Sequence, residues 1–157
     1  MAEQQLTQWL QDAYAAGIGQ MQNMERYVRS FDAFPDIRSE LKQHTIELRQ
    51  QTDDIRACIQ ERGGRVPVGQ ASRMAALPAG TVTFRDALIA DLLALYASEQ
   101  FSYARFCAIA EAARTLDADE VADICERIAE EEMAMAEWIE EQLPAIVTAR
   151  ITTPGNL

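Results

Sequence analysis

The chain has 157 residues, of which 48% are hydrophobic and 25% charged, and its formal net charge is −11. Nucleic acids and anionic membranes are therefore disfavoured as partners, because both require a basic face, and no stretch approaches the roughly 18 apolar residues of a membrane helix. The three cysteines, Cys58, Cys107 and Cys125, lie within helical patterns and no signal peptide precedes them, so we expect a cytoplasmic protein.

The first half of the chain predicts two long helices joined by a short turn. Apolar residues recur at intervals of three and four over residues 3–31, and again over residues 37–59. Pro35 separates the two helices, and Asp36 is predicted to cap the second. Gly63-Gly64 is predicted to end it, because glycine adopts the left-handed conformation after a helix at low cost.

The second half predicts two further helices. Helix 3 runs from about residue 83 to 114, and helix 4 follows after a tight turn, with the same apolar spacing. Pro144 is predicted to interrupt or kink helix 4, which leaves residues 144–157 as a C-terminal tail. Two capping pairs are predicted to open these helices, namely Thr83 with Asp86, and Asp117 with Glu120.

The lengths of the connections predict the topology. Helices 1 and 2 are joined by a short turn, as are helices 3 and 4, so each pair forms an antiparallel hairpin. The link over about 65–82 can extend roughly 60 Å, whereas a helix of 27 residues is about 40 Å long. The predicted fold is therefore all-α, a ferritin-like antiparallel four-helix bundle with one long crossover between helices 2 and 3, in a single domain over residues 1–143.

A layer of polar residues is predicted in the middle of this bundle. Glu99 lies within the apolar stripe of helix 3, where an unpaired carboxylate costs several kcal/mol at order of magnitude. Mid-helix positions of an antiparallel bundle fall at one height. The other residues expected at this height are Gly17, His44 with Glu47, and Glu131 or Glu132.

This layer is similar to that of di-iron carboxylate bundles, in which carboxylates and histidines from four helices hold two metal ions. Iron and manganese are the ions expected, since hard cations take oxygen ligands together with imidazole. The candidate metal ligands are His44, Glu47, Glu99, Glu131 and Glu132.

Several short segments resemble the bacterial YciE/YciF-type proteins of the ferritin-like superfamily. These segments are residues 10–16, His44-x-x-Glu47, residues 86–90 and Glu131-Glu132, and the resemblance extends over residues 5–143. It implies a ferritin-like bundle, a homodimer, an association with stress and a candidate metal site in the core, without a defined reaction.

The departures from the ferritin pattern predict a depleted metal site. Gly17 stands where the pattern has an acid, Gln50 where it has a histidine, and Tyr96 in place of one of two paired acids. Ala134 and Met135 follow the acids of helix 4. About half of the six ligands survive, so we predict a structural or interaction module; the alternative is a metal-dependent oxidase or iron-handling protein.

Each candidate ligand also has an ordinary structural interpretation. Glu99 is either a metal ligand or a buried acid that is protonated or paired with Arg49 or Arg105. His44 is either a ligand or a core imidazole hydrogen-bonded to Glu40 or Glu47. Gly17 is explained either by close approach of two helices or by a vacated ligand position.

Overall fold

Four long helices make up most of the described chain, which in this computed structural model comprises residues 1–68 and 84–153. They are α1 (Ala2–Ser30), α2 (Pro35–Glu61), α3 (Ala87–Thr115) and α4 (Asp119–Thr152), and the described residues contain no strand. The all-α prediction is therefore confirmed. No helix in these two ranges is long and apolar enough to cross a membrane.

The helices form an antiparallel bundle in which α1 and α4 lie on opposite sides of α2 and α3. Each of α1 and α4 packs closely against both α2 and α3. The backbones of α2 and α3 lie diagonally across the bundle, and these two helices meet through side chains such as His44 and Glu99. Arg26, late in α1, contacts Asp91, early in α3, and Arg127, early in α4, contacts Asp54, late in α2. Neighbouring helices therefore run in opposite directions.

The end of α2 and the start of α3 consequently lie at opposite ends of the bundle. This is the connectivity that the predicted long crossover requires, and it is the connectivity of ferritin-like bundles. The crossover itself, predicted over 65–82, falls largely on residues 69–83, which lie outside the described residues.

Asp86 caps α3. Its Oδ1 accepts hydrogen bonds from the backbone amides of Leu88 and Ile89, at 3.0 and 3.2 Å, and its Oδ2 accepts one from Arg150 Nε at 2.6 Å. Asp86 is therefore the N-cap itself, whereas the predicted pair places it three residues inside a helix that begins at about residue 83. Thr83 lies outside the described residues.

The other two predicted caps are wrong. Asp36 lies inside the first turn of α2, and Phe34 takes the capping position without a side-chain hydrogen bond. Ala118 takes that position in α4. The φ of +54° at Asp117 shows that this residue supplies the left-handed conformation that closes the preceding turn, which leaves it outside the helix.

Gly63 ends α2 as predicted, with φ +68°. The tail predicted to begin at residue 144 is wrong, because α4 continues through Pro144 to Thr152. Pro144 removes one helical hydrogen bond, but the last turns are held by tertiary contacts: Ile146 is fully buried in the core, and Arg150 binds the Asp86 cap.

A polar layer divides the core into two apolar clusters. The first cluster, near the start of α1, includes Leu6, Leu10, Ile59, Phe106 and Ile128. The second cluster, near the end of α1, includes Met24, Phe31, Leu41, Leu92 and Ile139. The polar layer consists of the buried polar residues of the bundle's middle, which are Gln20, His44, Gln51, Thr52, Glu99, Ser102 and Glu132.

Gly17 lies at a close approach of α1 and α2. A Cβ atom at this position would lie 2.7 Å from Thr52 Oγ1, which is fixed by its own hydrogen bond to the carbonyl oxygen of Leu48 at 2.7 Å. Close packing of two helices therefore accounts for the glycine.

We expect Asp86→Ala to lower the free energy of unfolding by about 1 kcal/mol, because two amides at the start of α3 lose their acceptor. Asp86→Asn should retain most of this stability, since asparagine also caps. Urea unfolding measures both. Asp36→Ala is the control, because Asp36 caps no helix, and an equal loss in Asp36→Ala would contradict the assignment.

Gly17→Ala should destabilise the protein by about 1–2 kcal/mol through steric overlap with Thr52, although alanine favours a helix by about 1 kcal/mol. Thr52 cannot easily yield, because a β-branched side chain is stiff. In a Thr52→Ala background the same substitution should be neutral or stabilising. Urea unfolding of the unmodified protein, the two single variants and the double variant gives the coupling free energy between positions 17 and 52. Additive effects of the two substitutions would rule out this contact.

A candidate metal centre in the polar layer

Three ionisable side chains from three helices meet in the middle of the core. They are His44 of α2, Glu99 of α3 and Glu132 of α4, and each is at most 1% exposed. His44 Nε2 lies 3.3 Å from Glu99 Oε2. One ligand atom from each of the three residues lies within 4.8 Å of the other two.

Helical periodicity places these three side chains inside. Each occupies a position in an apolar stripe that otherwise packs into one of the two clusters, so none can turn towards water without removing its neighbours from the core. The flanking core residues are Leu41 and Leu48 on α2, Leu95 and Phe106 on α3, and Ile128 and Met135 on α4.

The polar atoms at the centre have no hydrogen-bond partner among the described residues. This holds for His44 Nε2 and for all four carboxylate oxygens of Glu99 and Glu132. A buried polar group without a partner costs about 1–3 kcal/mol, and a charged group costs more. A cation or bound protons must therefore compensate these groups.

The donor set and its spacing fit one metal ion. Two carboxylates and one imidazole are ligands that ferrous iron and manganese accept. Around an ion with bonds of about 2.1 Å, ligand atoms in neighbouring positions are roughly 3.0–3.4 Å apart, and those in opposite positions roughly 4.2 Å. The three groups therefore need only a small inward movement to share an ion.

Glu47 contacts the centre from outside. Its side chain is 45% exposed, and its Oε2 accepts a hydrogen bond from His44 Nδ1 at 3.3 Å, so that Nε2 is directed towards Glu99. This hydrogen bond from His44 lowers the pKa of Glu47. Of the two hydrogen-bond partners predicted for His44, the structure selects Glu47, which lies outside the group of three.

Glu131 also lies outside the group. Its carboxylate accepts hydrogen bonds from Arg127 Nη1 at 2.8 Å and from Gln51 Nε2 at 2.9 Å. Glu132, the next residue, is fully buried. The choice between these two acids, which the sequence left open, is therefore decided by the structure: Glu132 faces the core.

Neither arginine suggested as a partner for Glu99 forms an ion pair with it among the described residues. Arg49 is exposed, and the Arg105 guanidinium stacks on the ring of Phe101, 4.9 Å from its centre. Glu99 faces His44 instead. A neutralising arginine is thus not the explanation for this buried acid.

The electrostatics of the centre favour bound protons when no cation is present. Burial lowers the pKa of His44, but the nearby charge of Glu99, the hydrogen bond to Glu47 and the charge of Glu132 outweigh it and raise that pKa to about 10. Burial raises the pKa of Glu132 to about 8, with a further rise from the charge of Glu99 and opposition from His44 and Ser102.

Two other residues of the polar layer have unpartnered polar atoms, Nε2 of Gln20 and Oγ of Ser102. Gln20 was not predicted from the sequence, and no role was predicted for Ser102. The available signal was a polar residue at a core position of an apolar stripe: Gln20 lies between Ala13 and Met24 on α1, all three being buried.

The comparisons with known proteins place the chain in a family. Residues 1–152 match the model of a family described as a domain of unknown function, DUF892. The chain belongs to this family. The crystal structure of a protein from Xanthomonas campestris pv. campestris is similar to it, with a TM-score of 0.83, 30% sequence identity and 96% of each chain covered. The description of the DUF892 family names no reaction.

Glu132→Gln should change how the stability of this DUF892 protein depends on pH in the presence of a chelator. The folded pKa of about 8 lies above the usual 4.5, so the carboxyl binds its proton more tightly in the folded state. The stabilisation that the protonated Glu132 carboxyl gives the folded state is therefore lost as pH rises from about 4.5 to 8. The variant should gain stability relative to the unmodified protein over this range.

Chemical denaturation at pH 5, 6.5 and 8 measures the difference. Glu131→Gln is the matched control, because it removes the adjacent carboxylate outside the core. Parallel pH profiles for Glu132→Gln and the unmodified protein would show that Glu132 does not hold a proton at the centre.

Proposed function

We propose that this protein is a ferritin-like metal-binding protein that holds one divalent ion, iron or manganese, through His44, Glu99 and Glu132. The observation that carries this proposal is the convergence of one ligand atom from each of three buried residues, whose five inward polar atoms have no hydrogen-bond partner among the described residues. A neutral imidazole and two carboxylates would balance the charge of a divalent ion, which is the compensation that the centre lacks.

The positions of the remaining acids favour one ion over two. A di-iron centre takes four carboxylates and two histidines. Glu131 is engaged by Arg127 and Gln51, and Glu47 supports His44 from the exposed side. His44, Glu99 and Glu132 alone form a group of possible ligands within the described residues.

The chain's own residues would prepare and protect this site. Glu47 holds the Nδ1 side of His44, which leaves Nε2 as the ligand atom, an arrangement typical of metal-bound histidines. The apolar clusters on both sides exclude bulk water. With three protein ligands an ion would retain open coordination positions, and it would supply Lewis-acid or redox chemistry there.

A second candidate function is a structural or interaction module without metal. The observation that favours it is the raised pKa of both Glu132 and His44, since protons can then satisfy much of the centre at neutral pH. The homodimer and the association with stress that the YciE/YciF resemblance implies remain predictions under either function.

We expect the purified protein to bind one equivalent of Fe²⁺ or Mn²⁺ under nitrogen, as measured by calorimetric titration. Free metal at 100 times the dissociation constant should stabilise the fold by about 2.7 kcal/mol and raise the melting temperature by roughly 5–10 °C. Glu99→Ala and Glu132→Ala should lose this shift, because each removes one of the three ligands.

Glu131→Ala is the matched control and should keep both the stoichiometry and the shift. Two equivalents per chain would indicate a di-metal centre. A melting temperature that does not respond to metal would favour the structural module.

A further inference from the structure

Gln20 brings an unused donor into the polar layer from α1, the helix that provides no metal ligand. Its side chain is 8% exposed, and its Nε2 has no hydrogen-bond partner among the described residues. A side-chain amide carries two N–H donors. Leaving them unpaired in the core is costly, so a ligand that accepts from them would stabilise the site.

The register of α1 and α3 brings Gln20 to the height of the candidate ligands. Arg26 on α1 contacts Asp91 on α3, and the two helices are antiparallel. Counting from 26 back to 20 along α1, and from 91 forward to 97 along α3, places Gln20 opposite residue 97. That position is two residues, or about 3 Å along the axis, from Glu99.

Ser102 provides a second donor on the same face of α3 as Glu99, three residues away. Its side chain is buried, and its Oγ makes no well-directed hydrogen bond within the described residues. The hydroxyl is nevertheless close enough to lower the pKa of Glu132.

The helical environment of Ser102 makes its free hydroxyl unusual. Six other hydroxyl side chains in these helices, including the buried Thr52, donate to the carbonyl oxygen four residues earlier, which satisfies them locally. They are Thr7, Ser30, Thr45, Thr52, Thr115 and Thr152.

We propose that Gln20 and Ser102 form a donor pair that binds a small oxygen ligand, such as water, hydroxide or peroxide, at an open position of the ion held by His44, Glu99 and Glu132. The inference rests on the proposed function, because it requires the ion. The amide and the hydroxyl would donate to the ligand while the ion accepts its lone pair. The centre would then receive a group from every helix of the bundle.

The test uses Co²⁺ as the metal, since its visible absorption reports ligand exchange, and azide as a small anion that accepts hydrogen bonds. Gln20→Met and Ser102→Ala should bind Co²⁺ as the unmodified protein does. Each should bind azide about three- to tenfold more weakly, because one hydrogen bond is lost. The azide dissociation constant is read from the absorption titration.

Gln51→Met is the matched control. Gln51 is also a buried glutamine of the polar layer, but its Nε2 already donates to Glu131, so azide affinity should not change. Methionine keeps the length of the side chain and removes its donors, which limits repacking. Ser102→Ala is an independent second variant.

The possible outcomes separate this inference from the metal site itself. Unchanged azide affinity in both variants, or no azide binding at all to the Co²⁺ protein, overturns the donor pair and leaves the metal site standing. Weaker Co²⁺ binding in Gln20→Met overturns it too, because Gln20 would then be a ligand. Failure of the unmodified protein to bind Co²⁺ overturns both proposals.

Discussion

The rest of the bundle depends on one constraint: the ionisable groups buried in the polar layer must be neutralised or paired. His44, Glu99 and Glu132 have been removed from water between two apolar clusters, and the protein offers them few internal partners. The burial of the surrounding leucines, isoleucines and phenylalanines must offset that cost. The helices are long enough to do so, since each extends through the layer and contributes side chains to both clusters.

Hydrogen bonding in the polar layer differs between its centre and its surface. Atoms without partners lie at the middle, while the acids one step further out are engaged: Glu47 by His44, and Glu131 by Arg127 and Gln51. Successive residues of a helix differ by about 100° in direction, which is why Glu131 and its neighbour have different environments. Glu47 thereby orients His44, and neither Glu47 nor Glu131 belongs to the group of candidate ligands.

The bundle could be predicted from the sequence because apolar spacing and connection length are local properties of the chain. The details that could not be predicted depend on tertiary contacts. Helix α4 passes Pro144 because Ile146 packs in the core and Arg150 binds the cap of α3. The choice of Glu132 over Glu131, and the inclusion of Gln20, depend on how four helices rotate against each other, which one helical stripe does not specify.

The arrangement at the centre is better explained by a ligand than by stability. Replacing buried ionisable residues with well-packed apolar residues is often neutral or stabilising. A core selected for stability alone would therefore not need ionisable residues at this position. Protons can satisfy His44 and Glu132, but they leave the amide of Gln20 and the hydroxyl of Ser102 without partners. An ion with a small ligand bound to it would satisfy the carboxylates, the imidazole and both donors together. Under the proposed function, that shared solution would connect the candidate ligands of three helices to the donors on α1 and α3.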